Sequence, residues 1–337
     1  MTPIANKMGI AASKRSNSIN NEIQVHMKIR FNKLTQWFDN DIAEHKIEYC
    51  NNDNIDWVRC LPFVAIHLAC FAVYFVGWSL PAIITALLLY VTRMFAITGF
   101  YHRYFCHKSF KTSRFFQFIF ALIGTSAIQR GPLWWSSNHR YHHKYSDQKK
   151  DIHSPIQSGF WRSHMFWFMG KSNFSTKTSL IGDLIKYPEL RLLDRFDAAI
   201  PILLAIGVTI FGVILNIYKP EWGADGPQLF VWGFIVSTVL LFHATCSTNS
   251  LAHKFGTKRY MTGDESRNNL IIALITLGEG WHNNHHHYPS SVKQGFYWWE
   301  IDITYWILKF FSWLGIIWDL KKVPENVLRS SLISQRT

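Results

Sequence analysis

Four runs of about 20 mostly apolar residues, at positions 60–80, 81–100, 198–218 and 229–246, set the terms for any fold of this chain. That is the length an α-helix needs to cross a hydrocarbon core about 30 Å thick. Buried helices of a soluble protein are the alternative, and four such lengths in one chain argue against it. Within the second run only Arg93 is charged, near its far end. Aromatic residues make up 16% of the chain and include 15 Trp. Such rings favour the membrane–water boundary, having an apolar body and a polar tip.

Charge placement gives the orientation. The link around Gly77 and Pro81 is uncharged, and the link between the last two runs holds only Lys219, Glu221 and Asp225. The leader carries Lys7, Lys14, Arg15, Lys28, Arg30, Lys33 and Lys46, and both residues 101–197 and the tail after Cys246 are basic. Positive loops stay in the cytoplasm, so a multi-pass integral membrane protein is expected, with both termini and the central segment cytoplasmic. The net charge of +13 flanks apolar runs and forms no aromatic-interleaved module, which excludes nucleic acid as a partner. Three shorter apolar stretches, 115–128, 270–277 and 303–318, are expected to lie at the interface. The five cysteines have no paired spacing, so neither a disulfide framework nor a thiolate metal site is expected. The leader lacks the apolar core of a signal peptide and is expected to be retained.

Nine of the 16 histidines form a pattern. His102 and His107 enclose His-Arg-Tyr-Phe-Cys-His; His139, His142 and His143 lie in His-Arg-Tyr-His-His; His282, His285 and His286 lie in His-Asn-Asn-His-His. His253 follows Asn249 by four positions. At about 100° per residue, positions i, i+3 and i+4 share one arc of a helix, so each triplet is expected to aim its rings at one point. His102 and His107 stand about 140° apart on a regular helix; either they serve different metals or the helix unwinds between them. Imidazole suits iron, zinc, copper and nickel, and nine rings are too many for one ion. Two metals with four or five nitrogens each account for the number. His26, His45, His67, His164 and His243 are read as ordinary surface or core residues. His287 is read as a neighbour of the ligands, and Asp147, Asp151 and Glu279 as carboxylates that orient imidazoles.

Taken together, these motifs resemble those of the membrane fatty acyl desaturases, most closely the acyl-CoA Δ9 (stearoyl-CoA-type) branch, over residues 82–299. The three histidine boxes match in order and spacing. Asn249-Ser-Leu-Ala-His253, Asp151-Ile-His-Ser-Pro155 and Gly278-Glu-Gly-Trp-His282 also resemble family elements. The resemblance implies an all-α integral membrane fold, with four transmembrane helices and a cytoplasmic helical cap holding a di-iron centre. Residues 57–320 would form this desaturase domain, between a polar leader (1–56) and a tail (321–337). It implies two iron ions held by His102, His107, His139, His142, His143, His253, His282, His285 and His286, with Asn249 acting through a water. Gln129, Trp135 and Thr245 resemble residues lining the acyl tunnel, and Tyr90 one near its closed end. Cys246 and Ser137 depart from residues common in animal members. Arg140, Lys144, Arg162 and Lys171 could meet the phosphates of CoA or the membrane surface.

The expected reaction is oxygen-dependent formation of a cis double bond, with O2 as co-substrate and a fatty acyl-CoA or other acyl thioester as substrate. No dinucleotide fingerprint and no His-Pro-Gly-Gly haem signature is present, which implies a separate reductase and a carrier such as a cytochrome b5-like protein or ferredoxin. The rivals are a hydroxylase on the same scaffold and a haem-bearing electron carrier. A zinc hydrolase would need His-Glu-x-x-His, which the sequence lacks.

Overall fold

The structure is a computed structural model, and it describes residues 35–40 and 54–333. Among the described residues, four helical stretches are long and apolar enough to cross a membrane: Trp57–Val76, Leu80–Cys106, Ala199–Tyr218 and Gly226–Ser250. The first begins as α1 (Trp57–Ala69), capped by the Asp56 side chain, and stops four residues short of the expected end because Gly77 takes φ 64°. The second begins as α2 (Leu80–Phe95), capped by Ser79, and runs on to Cys106 rather than ending at residue 100. Antiparallel β1 (Lys111–Thr112) and the amphipathic α3 (Arg114–Thr125) follow. Next come α4 (Pro132–Tyr145) and α5 (Pro188–Arg195). The third span is α6 (Ala199–Tyr218), and the fourth ends in α7 (Ser237–Ser250), which carries Asn249 inside the helix. The cap closes with α8 (Leu270–Ile275), α9 (His282–His287), α10 (Ile303–Trp313) and β2 (Ile317–Trp318), which pairs with β1.

The outer faces of the spans are what a bilayer requires. Leu68, Phe71 and Phe75 on the first, and Leu203, Ile210 and Ile217 on the third, are exposed. Trp57, Trp78, Tyr218 and Trp222 are exposed at span ends, where interfacial rings belong. The shorter apolar stretches form α3, α8 and α10, none of them among the four spans.

Polar groups inside the spans are compensated. Arg93 is buried, and its guanidinium donates to the Leu89 carbonyl (3.0 Å), to Thr238 Oγ1 (2.6 Å) and to Ser237 Oγ. This is the satisfaction that a cation at membrane depth needs. His67, His243 and His164 form a hydrogen-bonded row across α1, α7 and the cap: His67 Nε2 to His243 Nε2 is 3.1 Å, and His243 Nδ1 to His164 Nε2 is 3.0 Å. The row ends at the Phe63 carbonyl (2.7 Å) and at Ser250 Oγ (2.8 Å).

Candidate metal centre

The first box lies where the second span changes its winding. Residues Ala96–Cys106 form a π-helix, and the His107 amide donates to the His102 carbonyl five residues back (3.3 Å). A five-residue turn brings i and i+5 to the same side, which a regular helix would hold about 140° apart. The two ring centroids are 4.8 Å apart. Of the two alternatives left by the spacing, the altered helix is the one observed, and the reading that they serve different metals is overturned.

The second box depends on how α4 starts. Pro132 opens the helix, and its free amides at Leu133 and Trp134 donate to Asp194 Oδ1 (3.1 and 2.8 Å) from α5. Gly131 makes this approach possible, since a Cβ there would stand 2.3 Å from Asp194 Cα. The far end is fixed by Arg140, whose guanidinium pairs with Asp183 (2.6 Å) and donates to the Cys106 and Leu180 carbonyls. Arg140 is therefore a brace between α4 and the end of the second span rather than a free phosphate ligand.

In the third box the asparagines do different work from the histidines. Asn283 Oδ1 accepts from the Arg259 and Tyr260 amides (2.8 and 2.7 Å), while Asn284 Nδ2 donates to the Gln294 carbonyl and to Glu300 Oε2 (3.0 and 2.9 Å). Both are fully buried, and they pin one side of α9 so that His282, His285 and His286 face the other way.

The nine histidines fall into two groups whose ligand atoms lie within 4.8 Å of one another: His102, His107, His139, His143 and His285; and His142, His253, His282 and His286. Each triplet is thus split, not aimed at one point. His139 and His143, and likewise His282 and His286, are i and i+4, about 40° apart. His142 and His285 sit at i+3, about 100° from their i+4 neighbours, and cross to the other group.

Carboxylates fix the rings. Asp147 accepts from His253 Nδ1 (2.8 Å), Asp151 from His142 Nδ1 (2.9 Å), Asp264 from His286 Nδ1 (2.6 Å) and Glu279 from His102 Nδ1. A proton held on Nδ1 leaves Nε2 with a bare lone pair. His142 Nε2 and His286 Nε2 are buried and have no hydrogen-bond partner among the described residues. Within each group, Nε2 atoms stand close: in the first, His102 to His285 at 3.0 Å and His107 to His139 at 2.9 Å; in the second, His253 to His282 at 3.0 Å. Nitrogens about 2.1 Å from one ion and at right angles to each other stand roughly 3.0 Å apart. The donor set, the orphaned lone pairs and the spacing all fit a metal in each group.

Burial, then neighbouring imidazoles, push His107, His139, His143, His282 and His285 well below the ordinary histidine value. Burial also brings His286 down to about 4 against the pull of Asp264. These rings are neutral near pH 7 and ready to coordinate. Burial would lower His142 too, but the Asp151 carboxylate outweighs it and raises the ring. Burial pushes Asp151 and Asp264 up, yet their histidine partners hold both well below the usual carboxylate range.

An apolar cavity of about 730 Å³ leads to this centre from between α1, α6 and α7. A smaller space beneath the rings, lined by His102, His139, Glu279 and His282, continues it, and Trp135, Thr245 and Asn249 line both. At the junction Trp135 Nε1 donates to Gln129 Oε1 (3.4 Å), Gln129 Nε2 to Thr245 Oγ1 (3.0 Å) and Thr245 Oγ1 to the Leu241 carbonyl (2.9 Å). Cys246 lines the wall, whereas Ser137 faces away and accepts from the Lys177 amide. Tyr90, expected at the closed end, lines neither space; its hydroxyl donates to the Ile275 carbonyl (2.6 Å) and ties α2 to α8. His287 turns away from the ligands, stacks on Tyr260 (3.9 Å) and bonds to the Val327 carbonyl (2.9 Å).

Three functional neighbours escaped the sequence reading. Asp264 lies in no histidine motif, and only the fold shows its contact. His153 shares Asp151 with His142, Nδ1 to Oδ1 3.1 Å, and its place two residues after Asp151 was the available signal. Arg103 is buried against Glu279 and Asp302 (both 3.0 Å), which fixes the carboxylate behind His102.

Four candidate spans and a cap that gathers nine imidazoles into two groups able to hold metal, beside an apolar cavity, define a membrane protein with a candidate two-metal centre. The description "Fatty acid desaturase" belongs to the family model that matches residues 58–312, and the chain belongs to that family. It is 39% identical over 267 residues to the Acyl-CoA 5-desaturase AL21 of Anemone leveillei, covering 78% of each chain. It is 33% identical to the Delta-9 acyl-lipid desaturase 1 of Arabidopsis thaliana, over 82% of this chain and 86% of the relative. The sn-1 stearoyl-lipid 9-desaturase of Synechocystis is 36% identical, over 81% and 82%. The protein is accordingly a membrane acyl desaturase, an oxidoreductase.

Proposed function

We propose that this chain introduces a cis double bond at Δ9 of a saturated acyl-CoA or related acyl thioester, using iron in both imidazole groups and O2 as co-substrate. The observation that carries this reading is the apolar cavity, continued at the Gln129–Thr245 link by a smaller space whose lining includes His102 and His139 of one group and His282 of the other. When bound, the two irons supply the oxygen-activating redox chemistry needed to attack an unactivated methylene.

The protein's part is position. The Trp135–Gln129–Thr245 link holds the wall where the two spaces join, so that two neighbouring methylenes are presented to the ring cluster; a chain bent there, as in the family the motifs resemble, gives a cis product. Apolar walls exclude water from the bound chain. Asn249 lines both spaces beside His282, where its amide can hold a water. On the cap side a polar opening of about 370 Å³, lined by His143, Ser146, Asp264 and His286, supplies protons and releases water.

The basic loops support a cytoplasmic metal site and cytoplasmic termini, with the leader and tail flanking a membrane unit at 57–320. Electrons come from a separate carrier, cytochrome b5-like or a ferredoxin, served by its own reductase. Expression in a host lacking its own desaturase, followed by mass spectrometry of acyl chains, tests the reading. A product lighter by two hydrogens with the double bond at Δ9 is expected. A product heavier by one oxygen would replace desaturation by hydroxylation.

A further inference from the structure

The cavity is open along its length in an unexpected direction. Its wall on α1 is the stripe Cys60, Phe63, Ile66 and Ala69, and its wall on α6 includes Ile202, Ala205 and Ile206. The α1 stripe rises about 14 Å, roughly one leaflet of a hydrocarbon core about 30 Å thick. Ile202 and Ile206 line the cavity and are still 43% and 51% exposed, so the space communicates sideways with whatever surrounds the spans.

The cap end differs. There the rim is polar, and residues 35–40 lie across it, held by Trp37 Nε1 to the Val58 carbonyl (2.8 Å), Asn40 Nδ2 to the Asp194 carbonyl (3.0 Å) and Asp39 to Arg195 (2.8 Å). At the same rim Arg59 sits over the Phe174 ring at 4.5 Å, with its Nε and Nη1 buried and without a hydrogen-bond partner among the described residues. Asp56 and Asp197 lie near enough to act on its charge, yet these two N–H groups beside an apolar slot are left to an acceptor from outside the protein.

We propose that the acyl chain reaches the metal centre sideways from the bilayer, sliding between α1 and α6, while the anionic head group of the same molecule rests on Arg59 at the membrane surface. This rests on the reading of the cavity as the acyl site. The occupant is a saturated chain already dissolved in the leaflet and bearing an anionic head. Small residues leave the slot its width, Ala69 on one side and Ala205 on the other.

The test uses the full chain, iron-loaded, in phosphatidylcholine vesicles, with stearic acid spin-labelled at carbon 16 as the probe. The immobilised fraction of the label should fall at least fivefold in Ala205→Trp, with iron content and thermal midpoint unchanged. Ile202→Cys provides a second arm that does not depend on folding. Modification by a bulky methanethiosulfonate should exclude the label and reduction should restore it, with wild type treated alongside to account for its native cysteines. Arg59→Gln should weaken binding about tenfold for the labelled acid and not for its methyl ester. Label binding indifferent to both the Ala205 and Ile202 changes, in protein that holds iron, would overturn the proposal. Because binding is read without turnover, a chain that binds sideways yet forms no olefin would defeat the desaturase reading alone.

Discussion

His286 donates its Nδ1 proton to Asp264 Oδ2 at 2.6 Å, and its other nitrogen is left bare, buried and without a hydrogen-bond partner among the described residues. The carboxylate fixes both the tautomer and the direction of the lone pair. Removing such a partner typically weakens metal binding 10- to 100-fold. Asp264→Asn should therefore lower iron affinity by about that factor while the helical signal stays unchanged. Iron titration against a competing chelator measures it, and wild-type affinity would deny Asp264 this role.

Metal uptake should release few protons. Most of the ligating rings have proton affinities depressed by burial, so at pH 7 the metal displaces little; His142, raised by Asp151, is the main exception. Stripping the iron with a chelator should abolish activity. Calorimetric reloading in two buffers of different ionisation enthalpy should then show far fewer than nine protons released.

Asp194 links pH to stability through α4. Burial raises its carboxyl from 3.8 to about 6, opposed by the Trp134 amide. Because the folded value lies above the unfolded one, its contribution is fully present below about pH 4 and is lost as pH rises through about 6. The size is on the order of 3 kcal/mol. Asp194→Asn should keep the cap of α4 and flatten the fall in thermal midpoint between pH 4 and 6. Asp194→Ala should cost about 1–2 kcal/mol through the lost cap.

The Trp135–Gln129–Thr245 link should control product identity. Gln129→Leu removes the link between Trp135 and Thr245, worth about 1 kcal/mol in stability. Its larger effect should be on position, with lower turnover and a spread of double-bond locations read by mass spectrometry. Iron content should not change, since Gln129 bonds to no histidine in the two groups.

Much of this architecture could be read from residue order. Apolar run length located the spans, and the spacing of histidines identified the nine rings that the fold brings together. The three carboxylates named from sequence each meet an imidazole. What could not be read depended on winding and on contacts between distant segments. The π-helix before His107 arises where the second span packs against α3 and α4, and no local preference in its sequence announces it. Asp264 meets His286 only because the loop ahead of α8 folds back over α9. Tyr90 was placed by family resemblance and His287 by its place beside the third box, yet one braces α8 and the other holds the tail.

The division of each histidine triplet between two groups has a mechanical result. A rigid displacement of α4 carries His139 and His143 relative to one ion and His142 relative to the other, and α9 does the same with His285 against His282 and His286. Neither coordination sphere can be retuned alone by moving a helix. The distance between any two ions held there would therefore be a property of the scaffold, set when α4 and α9 dock.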